Sequence, residues 1–278
     1  MTQPPGFEHH DKTLVCKLNK ALYGLKQAPR AWYEKLHQAL LHFGFLPSKC
    51  DHSLFVYQQT DVCLFALVYV DDILITGSSS PLIHDLINKL HNKFALKKLG
   101  KPEYFLGIEV KYQANGSLIL TQTKYIRDLL VKVNMADSKG GVTTPMFSHC
   151  KLNKHGSDTM QDPTLYRSTV GALQYVTLTR PEIAFSVNKA CQFMASPLDS
   201  HWSVVKRILR YLSGTSTYGL LLMPADPAHI FTLRAYSDSD WASDPDDRRS
   251  TSGSCIYFGP NLVSWSSKKQ PLVCTVQC

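Results

Sequence analysis

Two adjacent carboxylates in the middle of an apolar stretch are the sharpest chemical signal in this sequence. Asp71 and Asp72 follow Tyr69-Val70 and separate the apolar residues 64–67 from 73–75. Neighbouring carboxylates between buried strands repel each other and lose solvation, and a divalent cation can supply the compensating charge. The alternative is a solvated hairpin turn carrying Asp-Asp, which is the more common case for the bare pattern.

Basic residues concentrate in two stretches that could contact a polyanion. The net charge is +8 and the isoelectric point is near 9.0. The first stretch contains Lys12, Lys17, Lys20, Lys26, Arg30 and Lys35, and the second contains Lys89, Lys93, Lys97, Lys98 and Lys101. Contacts of this kind position a nucleic acid through its phosphates without reading its sequence. On charge alone, an ordinary solvated face explains the pattern equally well.

Hydrophobic periodicity predicts the elements that hold the aspartates. We expect a helix over residues 31–45 and two short strands within 63–76, interrupted only by Asp71-Asp72. Ser80-Pro81 has the chemistry of a helix start. Next come strands within 104–112 and 117–121 around Asn115-Gly116, a strong hairpin signal, and then a helix over 125–133. This alternation predicts an α+β fold, with helices packed on one face of an antiparallel sheet.

The second half of the chain has a different pattern. Residues 139–164 are polar, with glycines and prolines, and are predicted to be a linker. A largely helical part follows, clearest over 201–212, where apolar and basic residues alternate at helical spacing. From residue 230 the period returns to two, and strands are expected at 231–236, 254–258 and 262–265.

Composition excludes several classes of protein. The longest apolar stretches are too short to span a bilayer, and residues 1–10 lack the features of a signal peptide, so we expect a soluble, intracellular chain. The eight cysteines show no C-x-x-C pair or zinc-finger spacing. Reduced, mostly buried thiols are therefore expected.

Several motifs, in order, resemble the reverse transcriptase of copia-type LTR-retrotransposon polyproteins. Tyr69-Val70-Asp71-Asp72 resembles the family's catalytic hairpin. The segment Ala21-Leu22-Tyr23-Gly24-Leu25-Lys26-Gln27-Ala28-Pro29-Arg30-Ala31-Trp32-Tyr33 is similar to the segment beside the nucleotide and template. Gln3-Pro4-Pro5-Gly6-Phe7 resembles the run after the family's first catalytic aspartate, and 166–173, 179–184 and 206–212 resemble its connecting region.

The resemblance implies roles for particular residues. Asp71 and Asp72 would hold Mg²⁺ for nucleotidyl transfer. Tyr23, Gly24, Lys26 and Gln27 would lie near the nucleotide and template, and either Lys97 or Lys98 would face the triphosphate. Phe105, Leu106, Gly107 and Ile108 would form the primer grip. The implied partners are an RNA or DNA template-primer, deoxynucleotides and the rest of the polyprotein, in a cytoplasmic particle.

A second activity is implied near the carboxyl end. Residues 236–242 and 246–253 resemble the opening of a copia-type ribonuclease H domain, in which Asp238 would be the first metal ligand. Asp240, Asp244, Asp246 and Asp247 are interpreted as a solvated acidic loop balanced by Arg248 and Arg249. The domains implied are 1–138, the polymerase palm and the start of the thumb; 139–229, a linker and helical connection; and 230–278, a ribonuclease H-like domain.

The resemblance also implies that parts of both catalytic sets are missing. A two-metal clamp needs a further carboxylate from an earlier strand, which would lie upstream of Met1 together with the fingers subdomain. The ribonuclease H part would continue beyond residue 271 into a helix with a glutamate, whereas here residues 272–278 depart from the family. We therefore expect a fragment truncated at both ends and without detectable activity alone.

Three functional hypotheses remain at this stage. The chain derives from an RNA-directed DNA polymerase, persists as a nucleic-acid-binding module, or is a transposon relic without a selected function. Salt-dependent binding to single-stranded RNA would favour the second, since the stretch 12–35 interleaves lysines with aromatic residues.

Overall fold

The computed structural model describes residues 1–19, 22, 24–136, 141–148, 150–156, 158–225 and 232–273. The chain divides into two compact units, Met1–Pro102 and Glu103–Cys278. Helices and antiparallel sheets occur in both units, which confirms the predicted α+β class.

The first unit contains one four-stranded sheet and two helices. The elements are α1 (Ala28–His42), β1 (Leu46–Pro47), β2 (Leu54–Gln59), β3 (Val62–Tyr69), β4 (Asp72–Gly77) and α2 (Ser80–Phe94). The strands pair in sequence order, each antiparallel to the next. Residues alternate across β3, so Leu64, Ala66 and Val68 are buried while Phe65 is exposed.

Both helices of the first unit pack their apolar residues into one core with this sheet. Leu36 and Leu40 come from α1, and Leu86 and Leu90 come from α2. Helix α1 begins three residues earlier than predicted, because Pro29 occupies its first turn, where the missing N–H is not needed. The N-cap of α2 is Ser79 rather than Ser80.

The described residues of the second unit form two sheets and four helices. The first sheet has the order β5 (Tyr104–Phe105), β6 (Ile108–Tyr112), β7 (Leu118–Thr121) and β8 (Leu220–Leu222). The helices are α3 (Thr123–Lys132), α4 (Pro163–Val176), α5 (Ala184–Cys191) and α6 (Asp199–Gly214), with a 3₁₀ turn at Pro181–Ile183. The last three strands, β9 (Leu233–Ser239), β10 (Thr251–Phe258) and β11 (Asn261–Lys269), form a sheet of order β11-β10-β9.

One hydrophobic core joins all four helices of the second unit. It combines Ile126 of α3, Leu173 of α4, Val187 of α5 and Leu209 of α6, all buried. The sheet that ends the unit attaches to it through Trp265 of β11, whose indole N–H donates to the Thr177 carbonyl oxygen at 3.1 Å.

The segment predicted to be a linker is tied down in its described parts. Leu152 and Met160 are buried. The Asn153 carbonyl accepts a hydrogen bond at 2.8 Å from Nε2 of His201, and the Thr144 hydroxyl accepts one at 2.9 Å from Arg207. The segment therefore packs against α6.

Two further features bear on the class of protein. None of the helices in the described part is both long and apolar enough to cross a membrane. The six cysteines within the described residues are free; Cys50 is exposed and the others are half-buried, so the expectation of mostly buried thiols is wrong.

Candidate functional site

The paired aspartates lie at the tip of the β3–β4 hairpin. Tyr69 pairs with Asp72, so Val70 and Asp71 form a two-residue turn. Asp71 and Asp72 are both exposed. Solvent therefore weakens the repulsion between the two carboxylates. The sequence argument for a cation rested on their loss of solvation, and exposed carboxylates do not by themselves require one.

The backbone of this turn is strained. Val70 has φ 53°, in the left-handed region. A two-residue hairpin turn with positive φ at its first central position normally places glycine there, and a β-branched residue is an outlier. Such strain costs about 1–3 kcal/mol and persists only where surrounding contacts hold it. The hairpin tip is thus kept in an unfavourable conformation while it presents two carboxylates.

Helix α1 supplies the contact that holds the turn. The indole N–H of Trp32 donates a hydrogen bond to the Val70 carbonyl oxygen. The Trp32 ring also packs edge-on against Phe94, with the centroids 5.2 Å apart. Sequence reasoning treated Trp32 as an apolar helix residue, as part of the 21–33 motif and as an aromatic that could stack on a base, and it missed this bond to the turn. The signal was the valine where the turn type favours glycine.

The predicted nucleotide and template residues lead directly into the same helix. Gln27 is the N-cap of α1, and Gly24 (φ 87°) and Lys26 precede it. Gln27 lies five residues before Trp32, about 7.5 Å along the helix axis. Gly24, Lys26 and Gln27 therefore lie at or just before the start of the helix whose Trp32 contacts the aspartate turn. Tyr23, the fourth predicted residue, lies outside the described residues.

Helix α2 returns the chain to the aspartate end of the hairpin. It starts just after β4 and ends at Phe94, beside Trp32. Lys97 and Lys98 follow, both exposed. The ammonium of Lys98 donates to the Asn88 side chain and so points back along α2, whereas Lys97 has no hydrogen bond or ion pair to another described residue. The two lysines, which the sequence left equivalent, therefore differ in their contacts.

The predicted primer-grip residues form a tight hairpin in the second unit. Phe105 pairs with Ile108 across Leu106 and Gly107, which have φ 49° and 82°. The Tyr175 hydroxyl of α4 donates a hydrogen bond to the Leu106 carbonyl oxygen. A Cβ on Gly107 would approach that hydroxyl to 3.2 Å, so glycine suits both the turn and the close contact.

Asp238 also belongs to the second unit, near the end of β9. It pairs with Gly253 of β10 and is exposed. In the described part of the chain, no group of three or more His, Cys, Asp or Glu side chains is arranged to hold a metal ion. The hairpin aspartates are therefore a pair in the first unit, and Asp238 belongs to the second unit.

The acidic loop after β9 differs from the prediction. Asp244 is 2% exposed, and its carboxylate lies 2.7 Å from Nζ of Lys269 and 4.0 Å from Nζ of Lys189. Burial acts to raise the pKa of Asp244, but the hydrogen bond from Lys269 and two backbone N–H groups outweigh it, and the pKa is lowered. A solvated loop was thus wrong for Asp244, which is a buried ion-pair centre.

Comparison with known proteins agrees with the order of motifs. Residues 1–148 match the family described as reverse transcriptase (RNA-dependent DNA polymerase). The chain is 49% identical over 271 residues to the retrovirus-related Pol polyprotein of transposon RE1 from Arabidopsis thaliana, covering 97% of this chain and 18% of that protein. It is 38% identical over 283 residues to the Pol polyprotein of transposon TNT 1-94 from Nicotiana tabacum, covering 98% of this chain and 21% of that protein.

A shorter relative matches over most of its length. An uncharacterized mitochondrial protein of Arabidopsis thaliana is 44% identical over 211 residues, covering 76% of this chain and 85% of that protein. The chain spans only about a fifth of the length of the Pol polyproteins that it matches. No solved structure matches.

Proposed function

The chain belongs to the reverse transcriptase family of copia-type retrotransposon Pol polyproteins, and from this we propose that Asp71 and Asp72 are its metal-binding carboxylates for RNA-directed DNA synthesis. Reverse transcriptases generally use divalent metal ions and act on nucleic acids. The observation that carries the proposal is the strained Val70 turn, held by Trp32, which presents both carboxylates to solvent.

The chemistry of the pair fits magnesium in part. Hard carboxylate oxygens are ligands that Mg²⁺ prefers, and one or two carboxylates plus substrate phosphates commonly bind it. Bound metal ions would stabilise the attacking and leaving oxygens of the displacement. A full clamp needs a further carboxylate, and the sheet has room for one: among the described strands, β4 pairs only with β3. A strand added beside β4 would bring its side chains next to Asp72.

The surrounding residues would position the substrates. Lys26 and Gln27, at the start of α1, would contact the nucleotide and template. Lys97 is favoured over Lys98 for the triphosphate because Lys98 is already engaged by Asn88. Gly24 would allow close backbone approach, and the hairpin of Phe105, Leu106, Gly107 and Ile108 would hold the primer.

The carboxyl-terminal sheet supports a second proposal of lower rank. Residues 230–278 would be a ribonuclease H-like domain with Asp238 as a metal ligand, residues 1–138 the palm and start of the thumb, and 139–229 the linker and connection. Three antiparallel strands with an aspartate on β9 are compatible with this division.

Primer extension in a chimera tests the polymerase proposal. This chain replaces the matching 271-residue segment of the RE1 Pol polyprotein, so that the rest of the catalytic set comes from the relative. We expect Mg²⁺-dependent extension that Asp71→Asn lowers by about a thousandfold or more, as for loss of a metal ligand in a two-metal site. Asp61→Asn is the matched control, since Asp61 is exposed beside the other end of β3.

One result would contradict the proposal, and a second would contradict the expected need for a further carboxylate. Extension by Asp71→Asn at the parent rate would show that the aspartate pair is not catalytic. Extension by the 278-residue chain alone, which we expect to be undetectable, would show that the described pair suffices without a further carboxylate.

A nucleic-acid-binding role without catalysis is the alternative. The lysines at 12, 17, 26 and 35 are exposed, whereas Arg30 is paired with Glu34 at 3.0 Å. Affinity for single-stranded RNA should then fall steeply between low and physiological salt. A flat salt dependence would exclude it.

A further inference from the structure

The hairpin proposed as the primer grip has little pairing of its own. Strand β5 is two residues long, and its residues Tyr104 and Phe105 pair with β6. One further backbone bond, from the Val110 N–H to the Glu103 carbonyl at 2.9 Å, lies just beyond this pair. Strands in proteins are usually three residues or longer, so this pairing alone holds the hairpin weakly. Contacts from other elements must therefore help to fix its position.

The turn of this hairpin is also strained. Leu106 has φ 49° and Gly107 has φ 82°, so both central residues lie in the left-handed region. A two-residue turn of this type favours asparagine, aspartate or glycine at its first central position, and leucine there is an outlier. Such a conformation persists only where surrounding contacts stabilise it.

Tyr175 of α4 supplies such a contact. Its hydroxyl donates a hydrogen bond to the carbonyl oxygen of the strained Leu106. The contact is close, since a Cβ on Gly107 would approach this hydroxyl to 3.2 Å. The turn at Val70 is held in the same way, because the Trp32 N–H donates to the carbonyl oxygen of the strained valine. In each unit, one aromatic side chain from a helix thus binds the strained residue of a hairpin turn.

The hydrophobic core fixes the helix that carries Tyr175. Leu173 and Val176, on either side of it in α4, are fully buried in that core. The Tyr175 ring packs edge-on against Tyr125 of α3, with the centroids 5.1 Å apart. The hydroxyl therefore reaches the turn from a side chain that two packed helices hold in place.

A second contact ties the base of the hairpin to α3. The carboxylate of Glu109, in β6, accepts a hydrogen bond at 2.8 Å from the backbone N–H of Lys124, in the first turn of α3. The next residue in that helix is Tyr125, which contacts Tyr175. The hairpin is thus bound to α3 at its base and to α4 at its turn.

We propose that Tyr175 is a positioning residue for the primer: by binding the Leu106 carbonyl, it sets where the hairpin 105–108 meets the primer end. The inference rests on the primer-grip role proposed above. Tyr175 acts through the hairpin rather than on the reacting atoms, and it lies 69 residues after the turn that it holds. Loss of its hydroxyl should weaken the hold on the primer and leave the metal chemistry unchanged.

Hydrogen exchange of the full chain tests the contact without any catalysis. Tyr175→Phe removes only the hydroxyl, so the backbone amides of residues 105–108 should exchange about fivefold faster, as for loss of one hydrogen bond. The amides of Lys111 and Ile119, which pair farther along the same sheet, should exchange at the parent rate.

Tyr166→Phe is the matched control in the same helix. It also removes a hydroxyl that donates to a carbonyl oxygen, that of Ala190 at 2.8 Å. This variant should lower the stability of the unit but leave exchange at residues 105–108 unchanged. The control therefore separates a general loss of stability from release of the hairpin.

Template-primer binding by the chimera tests the consequence for the primer. Fluorescence anisotropy with a labelled template-primer, in the absence of nucleotide, should show a Kd about fivefold higher for Tyr175→Phe and unchanged for Tyr166→Phe. The affinity for unprimed template should not change in either variant. At saturating template-primer, kcat and the KM for nucleotide should stay within about twofold of the parent.

The outcomes distinguish this inference from the function on which it rests. Unchanged exchange at residues 105–108 in Tyr175→Phe would overturn the inference, and so would faster exchange with unchanged affinity for the template-primer. A parent chimera that binds primed and unprimed template equally would exclude the primer-grip role, and the inference with it. The metal-binding role depends instead on the response to Asp71→Asn. Faster exchange together with weaker binding of the primed template alone would support the positioning role.

Discussion

Val70 is the residue at which local chemistry and the observed conformation disagree most. Positive φ costs a valine steric strain, and Val70 keeps that conformation because Trp32 binds its carbonyl oxygen. The turn residue and the helix residue therefore act together to fix the direction of the two aspartates.

Replacing Val70 by glycine should stabilise the chain. Glycine adopts the left-handed region without strain, although it loses more conformational entropy on folding, so a net gain of about 1 kcal/mol in the free energy of unfolding is expected. Urea denaturation of the parent and Val70→Gly measures this difference. The matched control is Val62→Gly, at the first residue of β3, which should destabilise. A destabilised Val70→Gly would show that the turn is not strained.

His201 is a second residue with a measurable signature. It is fully buried at the start of α6, where Nδ1 accepts from the Leu198 N–H and Nε2 donates to the Asn153 carbonyl. Burial lowers the pKa of His201, outweighing the hydrogen bond to Asn153 and the charge of Asp246. The neutral ring is thus required in the folded state.

Folding should therefore weaken in mild acid. The unfolded chain protonates His201 near pH 6.5, while the folded chain does so only at lower pH. The stabilisation is complete above pH 6.5 and is lost as the pH falls through the folded-state pKa, by at most about 1.4 kcal/mol per pH unit. Urea denaturation at pH 6.5, and at about one pH unit above and below it, should show how the free energy of unfolding depends on pH. His201→Gln should reduce the slope of this dependence. An unchanged slope in the variant would assign it to other groups.

At the scale of elements, the loop between β9 and β10 connects three parts of the second unit. Asp244 contacts Lys189 of α5 and Lys269 of β11. Asp246 accepts at 3.0 Å from the backbone N–H of Lys154, in the segment 150–156. Helix, sheet and connecting segment are thus joined through the buried carboxylate of Asp244 and the exposed carboxylate of Asp246.

Removing the central charge should loosen this arrangement. Asp244→Asn leaves two lysines without their buried partner, which is expected to cost about 3 kcal/mol. Asp158→Asn, at an exposed aspartate just beyond the same segment, is the control and should change stability by less than about 0.5 kcal/mol. Thermal unfolding of both variants measures the difference. Equal stability of the two would show that Asp244 is not an ion-pair centre.

The elements that were predictable from sequence are those with a local signal. Helix α6 has a regular apolar spacing, and the turn residues Asn115-Gly116 separate β6 from β7 as expected. Strands β1, β2 and β8 were not predicted. β8 is three leucines long and pairs with β7 from about a hundred residues away, so its state depends on a contact that no local pattern encodes.

The candidate site was predictable in part for the same reason. The aspartates, the residues before α1 and the hairpin at 105–108 carry family motifs. The φ of Val70, the bond from Trp32 and the engagement of Lys98 by Asn88 are tertiary features. Likewise Asp244 looks like any loop aspartate in sequence, and only packing against α5 and β11 reveals its burial.

At the scale of the whole molecule, the chain is two compact units joined by an exposed connection. Residues 95–102 contain no helix or strand, and Lys97, Lys98 and Lys101 are exposed there. The proposed metal-binding aspartates lie in one unit, and the proposed primer grip lies in the other. In the proposed polymerase, this connection is the covalent link between the metal-binding aspartates and the primer grip.

Limited trypsin digestion should therefore cut after Lys97 or Lys98 and leave two folded pieces. Cleavage requires a segment that can unfold locally into the protease site, and an exposed stretch without secondary structure meets that condition. Mass spectrometry should find fragments ending at Lys97 or Lys98, because trypsin does not cleave the bond between Lys101 and Pro102. Lys189, which is buried, should resist. Trimming at Lys12 or Lys17 removes few residues and is distinguished by mass.

A double variant identifies the site of cleavage and its consequence. Lys97→Gln/Lys98→Gln should abolish the cut while both units keep their near-ultraviolet circular dichroism. In the chimeric polymerase, cutting the connection should stop primer extension even though Asp71 and Asp72 are untouched, because the primer grip is then no longer covalently tied to them. Full extension by the nicked chimera would mean that contacts other than this connection hold the two units in their working arrangement.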